Sequence, residues 1–158
     1  MENAVTNRET LQLVTFRLGK QEYAVDILRV QEVNRLVNIT FMPNAGECIE
    51  GVINLRGRVI PIVSLRKKFG LDANDMDGKA RILVIDAGRT VGVIVDSVSE
   101  VLRLSTEAVE PPPSMARGGS VEYVKGVGKL ENRLVMLLDV EKLFGDRSGC
   151  AGAQETMN

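Results

Sequence analysis

The chain contains no histidine and no tryptophan, and only 4% of its residues are aromatic. Without histidine it lacks the commonest general base, the commonest metal ligand and the phosphoacceptor of histidine kinases. So few aromatics leave little with which to stack nucleic-acid bases or sugars. Cysteine is limited to Cys48 and Cys150, far apart, the second in a Gly/Ala/Ser-rich tail. Two reduced thiols are therefore expected rather than a disulfide framework. No apolar run approaches the roughly 18 residues that span a bilayer, and the polar first ten residues show no apolar signal-peptide core. Twenty basic residues against twenty-one acidic, a net charge of −1, provide no long-range field for a nucleic-acid or membrane surface.

Catalytic and ligand motifs are missing too. There is no phosphate-cradling glycine loop ending in Lys-Ser/Thr, no G-x-G-x-x-G after a strand, and no Cys/His cluster for zinc. The stretch Asp72–Gly78 has calcium-loop composition but not its spacing: Met76 stands at an oxygen-ligand position and Leu83 at the final carboxylate. It reads as a polar linker. The basic cluster Arg56, Arg58, Arg66, Lys67 and Lys68 has neither aromatics nor a recognition helix beside it, so it reads as a solvated face. Catalytic, cofactor and metal residues are all expected to be absent.

What is present is a globular composition, 44% hydrophobic and 26% charged over 158 residues, enough for one ordinary domain or two small ones sharing a core. An internal repeat organises it. Gly51–Gly70 (GVINLRGRVIPIVSLRKKFG) aligns without gaps on Gly126–Gly145 (GVGKLENRLVMLLDVEKLFG), and Val30-Gln31-Glu32-Val33 is echoed by Val98-Ser99-Glu100-Val101. Tyr23, Val25 and Ile27 alternate as Val91, Val93 and Val95 do. Each half reads strand, turn, strand, Val-x-Glu-Val, connection, strand, turn, strand, short helical turn. Gly19 and Gly88 mark the first hairpins, and Gly57 and Asn132 the later ones, where φ > 0 is expected. Ser64 and Asp139 are expected to cap short helices closing at Gly70 and Gly145. Asp26–Leu36 also has helical spacing, but the repeat favours a turn capped by Asp26 and then a strand. Pro61 suggests an edge or bulged strand. Pro111–Pro113 with Gly118 and Gly119 makes a stiff-then-flexible connection.

The stretch Ile53-Asn54-Leu55-Arg56-Gly57-x-Val59-x-Pro61-Ile62-Val63-x-Leu65 closely resembles the hallmark of the CheW family. So do Glu22-Tyr23-Ala24-Val25-Asp26-Ile27-Leu28-x-Val30-Gln31-Glu32-Val33 and Val91-Gly92-x-x-Val95-Asp96-x-Val98. The resemblance runs from about Leu11 to Gly145. It implies a mostly β fold of two similar five-stranded barrels packed around a shared hydrophobic seam, with short helical segments. The expected organisation is a flexible 1–10, a domain over 11–145 with two interleaved or pseudo-repeated β-barrel subdomains of about 11–79 and 80–145, and a flexible tail 146–158. The resemblance also implies a non-enzymatic cytoplasmic adaptor, without cofactor, coupling methyl-accepting chemoreceptors to the histidine kinase CheA. It would meet the kinase's C-terminal regulatory domain barrel to barrel and the cytoplasmic tip of the receptors in the groove between its halves. Membrane arrays would recruit it through those partners. An adaptor of a surface-motility pathway is the alternative inside this fold; a small β-barrel binding single-stranded nucleic acid or oligosaccharide is the alternative outside it.

Candidate partner-binding residues are Val30, Glu32, Val33, Gly51, Asn54, Arg56, Gly57 and Val101. Arg56-Gly57 has Glu131-Asn132 as its repeat counterpart, so the turn recurs with its charge reversed. A hairpin tip does not require arginine; the readings are a solvated charge or a partner contact by a planar, multi-donor group. Val30, Val33 and Val101 are core positions or contact residues, and Glu32 should point opposite to Val33. Gly51, with Asn54, fits either a tight turn or the close approach of a partner.

Overall fold

The computed structural model describes residues 10–42, 49–71, 77–113 and 119–145. Both cysteines, residues 72–76 of the acidic stretch, Gly118 and the two terminal segments lie outside the described residues.

The repeat is a repeat of structure. The first half folds as β1 (Thr10–Leu18), β2 (Gln21–Asp26), β3 (Val30–Arg35), β4 (Thr40–Phe41), β5 (Ile49–Leu55), β6 (Arg58–Ser64) and helix α1 (Leu65–Lys68). The second follows the same order as β7 (Arg81–Asp86), β8 (Thr90–Val95), β9 (Ser97–Ser105), β10 (Val109–Glu110), β11 (Val124–Lys129), β12 (Leu134–Leu138) and α2 (Val140–Gly145). The first hairpins turn at Gly19 (φ 61°) and Gly88 (φ 85°), where glycine adopts the left-handed region without steric cost. Asp26 Oδ1 accepts the Leu28 N–H at 2.9 Å and caps a single 3-10 turn before β3. The Asp26–Leu36 segment is thus turn and strand, not helix. Ser64 Oγ and Asp139 Oδ1 accept the N–H groups of Lys67 and Lys142 at 3.3 and 3.1 Å, capping α1 and α2.

The strands form two six-stranded sheets, ordered β3-β7-β8-β6-β5-β4 and β9-β1-β2-β12-β11-β10. Among the described residues, strand pairing closes neither sheet into a barrel, and β4 and β10 each add a two-residue sixth strand to the five expected. Replacing every strand by its repeat counterpart converts one order into the other, and each sheet holds the other half's first hairpin: β7–β8 lies among first-half strands and β1–β2 among second-half strands. The exchange keeps register: Ile62 lies beside Gly92, and their repeat counterparts Leu137 and Ala24 lie side by side. Pro61 is not on an edge. β6 runs inside its sheet, and its parallel ladder to β8 begins at Ile62, one residue past the proline, so the missing N–H falls outside that ladder.

Exchange explains why the hairpin strands are apolar on both faces. In β7, Ile82 and Val84 face one way, into a core with Ile53, Leu55, Ile60 and Ile62. Leu83 and Ile85 face the other way, into a larger core that also takes Val14, Phe16, Tyr23 and Val25 from β1–β2. Leu13 and Ala24, from the opposite face of β1–β2, join Leu104, Val135 and Leu137 in the third core. The central seam is therefore hairpin against hairpin. Most of the scarce aromatics sit there: Phe16 stacks on Tyr23 (5.9 Å between centroids), Tyr23 tilts against Phe69 (5.4 Å), and Phe69 stacks on Tyr123 (5.9 Å). That row of rings links β1–β2, the end of α1 and the segment before β11.

Polar clamps close the rim of the seam. Arg66 of α1 grips Asp96, between β8 and β9, through two bonds of 3.1 and 2.6 Å. Asp96 Oδ2 also accepts the Gly19 N–H at 2.8 Å, and its own N–H donates to the Arg17 carbonyl at 3.0 Å. At the equivalent place in the other half, Arg29 pairs with Glu141 of α2 and donates to the Asp86 carbonyl at 3.1 Å. Partial burial pushes the Asp96 carboxyl upward, but the Arg66 hydrogen bond, the Gly19 N–H and the Arg66 charge outweigh it. The pKa is lowered from its ordinary value of 3.8.

Two measurements check these contacts. Phe69→Ala should cost about 3–5 kcal/mol of unfolding free energy, because it removes the middle of the ring row from a site with little room to relax; a loss below about 1 kcal/mol in urea would contradict the seam as drawn. Because the Asp96 pKa is lower folded than unfolded, its contribution is present above about pH 4 and fades as pH falls through the folded value. Asp96→Asn should be less stable than the parent at pH 7, with the difference shrinking towards pH 2.

Candidate functional site

β5 and β6 are joined by a two-residue turn, closed by the pair Leu55 and Arg58. Both central residues have positive φ, Arg56 at 53° and Gly57 at 86°. This is the type I′ arrangement that matches strand twist and favours Asn, Asp or Gly at its first position. Arg56 is the one non-glycine residue with positive φ among the described residues, and that conformation costs about 1–2 kcal/mol for a side chain of this kind. Asn54 Oδ1 accepts the Gly57 N–H at 2.9 Å and holds the turn. Turn chemistry thus accounts for Asn54 and Gly57, but not for an arginine between them.

What the arginine does is cross to β3. Its guanidinium is ion-paired and hydrogen-bonded to Glu32, bridging the turn to the edge strand of the same sheet. The Arg56 hydrogen bond, with the nearby Asn34 amide and the charges of Arg56 and Arg58, holds the Glu32 carboxyl below the usual carboxylate range. The Arg56 side chain remains 67% exposed and that of Glu32 only 25%, so the guanidinium keeps open donors while its direction is set. Beside it, Arg58 donates to Thr90 Oγ1 at 2.8 Å. β3 alternates as expected: Glu32 points towards the turn, and Val33 points outward at 43% exposure.

Of the eight candidates, Asn54, Arg56, Gly57 and Glu32 come together, with Val33 on the outer face of the same strand. Val101, the counterpart of Val33, is 57% exposed on the edge strand β9 of the other sheet. Val30 is half-buried and packs against the central seam. Gly51 is buried, and a Cβ there would lie 2.1 Å from the Thr40 carbonyl oxygen. Its missing side chain makes room for the chain's own β4, not for a turn or a visiting partner. The repeat counterpart Gly126 does the same for β10, where a Cβ would meet Val109 at 2.6 Å.

Two residues were not singled out by the sequence. Val59, cross-strand partner of Asn54, is 71% exposed at the foot of the turn, and its counterpart Leu134 is exposed too. The signal available was the alignment itself, which keeps both apolar at a position where strand alternation points outward. Leu28, on the 3-10 turn before β3, is also exposed.

The second half uses the same positions differently. Asn132 does not take the positive φ expected of it; the chain passes Glu131-Asn132 as a wider bend, closed by the Leu130 N–H donating to the Arg133 carbonyl at 3.0 Å. Glu131 stands where Arg56 does, so Glu100, the counterpart of Glu32, pairs with Arg133 instead. Arg133 also reaches the buried Glu22 at 3.0 Å. One face presents a guanidinium, the other a carboxylate. Among the described residues no three metal-ligating side chains converge, and no helix is long and apolar enough to cross a membrane.

Residues 12–148 match the CheW-like domain family. The chain is 41% identical over 134 residues to the chemotaxis protein CheW of Klebsiella aerogenes, covering 84% of this chain and 81% of that one. It is 34% identical over 147 residues to the CheW of Treponema pallidum, with 89% and 86% covered. The crystal structure of the scaffolding protein TtCheW from Thermoanaerobacter tengcongensis superposes with a TM-score of 0.79 at 34% identity, over 86% of this chain and 93% of that one. The chain belongs to the CheW family of chemotaxis scaffold proteins.

The turn and the glycine give separable expectations. Arg56→Asn should leave thermal stability unchanged or raise it by about 1 kcal/mol, since asparagine tolerates the left-handed region. Gly51→Ala should cost about 1–3 kcal/mol through overlap with Thr40. Equal melting temperatures for parent and Gly51→Ala would contradict the packing described.

Proposed function

We propose that this CheW-family chain couples methyl-accepting chemoreceptors to the histidine kinase CheA, acting by binding and not by catalysis, in the cytoplasm and at receptor arrays to which its partners recruit it. The surface around the Arg56-Gly57 turn serves as one of its docking sites. The observation that carries this is the strained arginine: a residue the turn disfavours is kept there, aimed by Glu32 and left with exposed donors, above the exposed apolar side chain of Val59 at the foot of the turn and with Val33 exposed on the other face of β3. An apolar patch beside an oriented guanidinium is the composition of a protein-binding hot spot, where apolar contacts supply affinity and the charge sets orientation. The family match over 12–148 supports the identity of the partners.

The two halves present different faces for different encounters. Val33 and Arg56 mark one face, Val101 and Glu131 the other. The kinase's C-terminal regulatory domain meets such a face edge to edge. The tip of the receptor's helical hairpin lies in the groove between the halves, as an apolar helix in an apolar groove.

Arg56→Glu should reduce co-sedimentation with receptor and kinase fragments by at least about tenfold in apparent affinity, roughly 1.4 kcal/mol, while circular dichroism and melting temperature stay near those of the parent. Arg56→Asn separates the charge from the backbone and should show the same loss of binding. Undiminished assembly by both variants would remove the turn from the docking surface.

A further inference from the structure

Two halves built alike pose a problem of pairing. The place that β7–β8 fills beside β3 and β6 could be filled by the β1–β2 hairpin of a second copy, joining first half to first half between chains and second half to second half. Such exchange is a low-cost route to association for any chain whose elements are interchangeable. The seam's apolar positions differ in size, Phe16 and Tyr23 against Ile85 and Val91. Repacking around such size differences carries a cost of its own, to which a mismatch of charge at the rim can add another.

The clamps at the rim do discriminate. Arg66 and Glu141 are repeat counterparts on α1 and α2. Their partners, Asp96 and Arg29, sit in the equivalent β8–β9 and β2–β3 links. Each clamp joins one half to the other, and the two have opposite polarity. Pairing like with like would set Arg66 against Arg29 in one assembly and Glu141 against Asp96 in the other. Asp96 would then lose its bidentate partner and face a like charge. Two other polar contacts between the halves among the described residues are indifferent. Arg58 with Thr90 and Arg133 with Glu22 would become Arg58 with Glu22 and Arg133 with Thr90, leaving the same number of ion pairs across two chains.

We propose that the opposite polarity of these two clamps commits each hairpin to the other half of its own chain and excludes exchange between like halves of two copies. The clamps are thus a recognition code between two similarly built surfaces, written in charge and added to the size differences of the apolar positions.

The code can be rewritten in the full chain without removing an ion pair. Arg29→Asp with Glu141→Arg keeps both native clamps attractive but gives them the same polarity, so like-with-like pairing becomes attractive as well. After unfolding and refolding at high protein concentration, light scattering should find the associated fraction at least about tenfold above the parent's. Carbodiimide cross-linking of mixed light and heavy isotope preparations should join Lys67 of one copy to the carboxylate introduced at position 29 of another. Adding Arg66→Glu and Asp96→Arg restores opposite polarity and should return the chain to the parent's mass distribution. The reciprocal pair Arg66→Glu with Asp96→Arg carries the same expectation and answers the question if the first variant does not refold. A double variant that refolds with the parent's mass distribution overturns the proposal, as does one that associates without that inter-copy cross-link.

Discussion

The packing of one hairpin against the other is the contact on which the rest of the molecule depends. β1–β2 and β7–β8 are each apolar on both faces because each lies between two cores, its adopted sheet's on one side and the shared seam on the other. Remove either hairpin and a sheet loses two inner strands, while the seam loses five of its seventeen buried residues. Two units of this size would be marginal separately. Exchange makes them a single cooperative structure, and the scarce aromatic residues are spent almost entirely on that junction.

The same arrangement lets the surface diverge. Once strand order, turns and caps are held by the repeat, positions outside the cores are free to differ, and they differ in charge: exposed Arg56 against Glu131 at the turns, part-buried Arg66 against exposed Glu141 at the rim. At the turns this yields two unlike faces on two like bodies, which suits a scaffold that meets more than one partner. At the rim it yields two clamps of opposite sign. Under the proposed docking and the proposed pairing code, reversal of charge at equivalent positions serves recognition twice, once between the chain and its partners and once between its halves.

Much of this was legible in the sequence, because local chemistry repeats where structure repeats. Gly19, Gly88, Ser64, Asp139 and Asp26 each did what their residue type and position imply. The destination of each hairpin was not legible, since β1–β2 and β7–β8 offer the same apolar pattern to either sheet. Pro61 misled because the rule concerns a missing N–H, and the ladder that would have used it starts one residue later. Asn132 misled because tolerance of positive φ is not a demand for it. Gly51 was recognised as special, but its close neighbour is the Thr40 carbonyl, a contact across a chain segment that periodicity does not reveal. In the site, Arg56 stood out because its counterpart carries the opposite charge, because a hairpin tip does not require arginine, and through the family resemblance; its latch to Glu32 required the fold.

The central claim, that the two halves are one cooperative body because each holds the other's hairpin, is tested most directly by native-state hydrogen exchange. Amides of Val14 and Val25 in one hairpin and of Leu83 and Val93 in the other should open only with global unfolding, sharing one free energy and one denaturant dependence. If the strands contributed by one half instead opened at a free energy several kcal/mol below those of the other, the halves would be independent units and the account would fail.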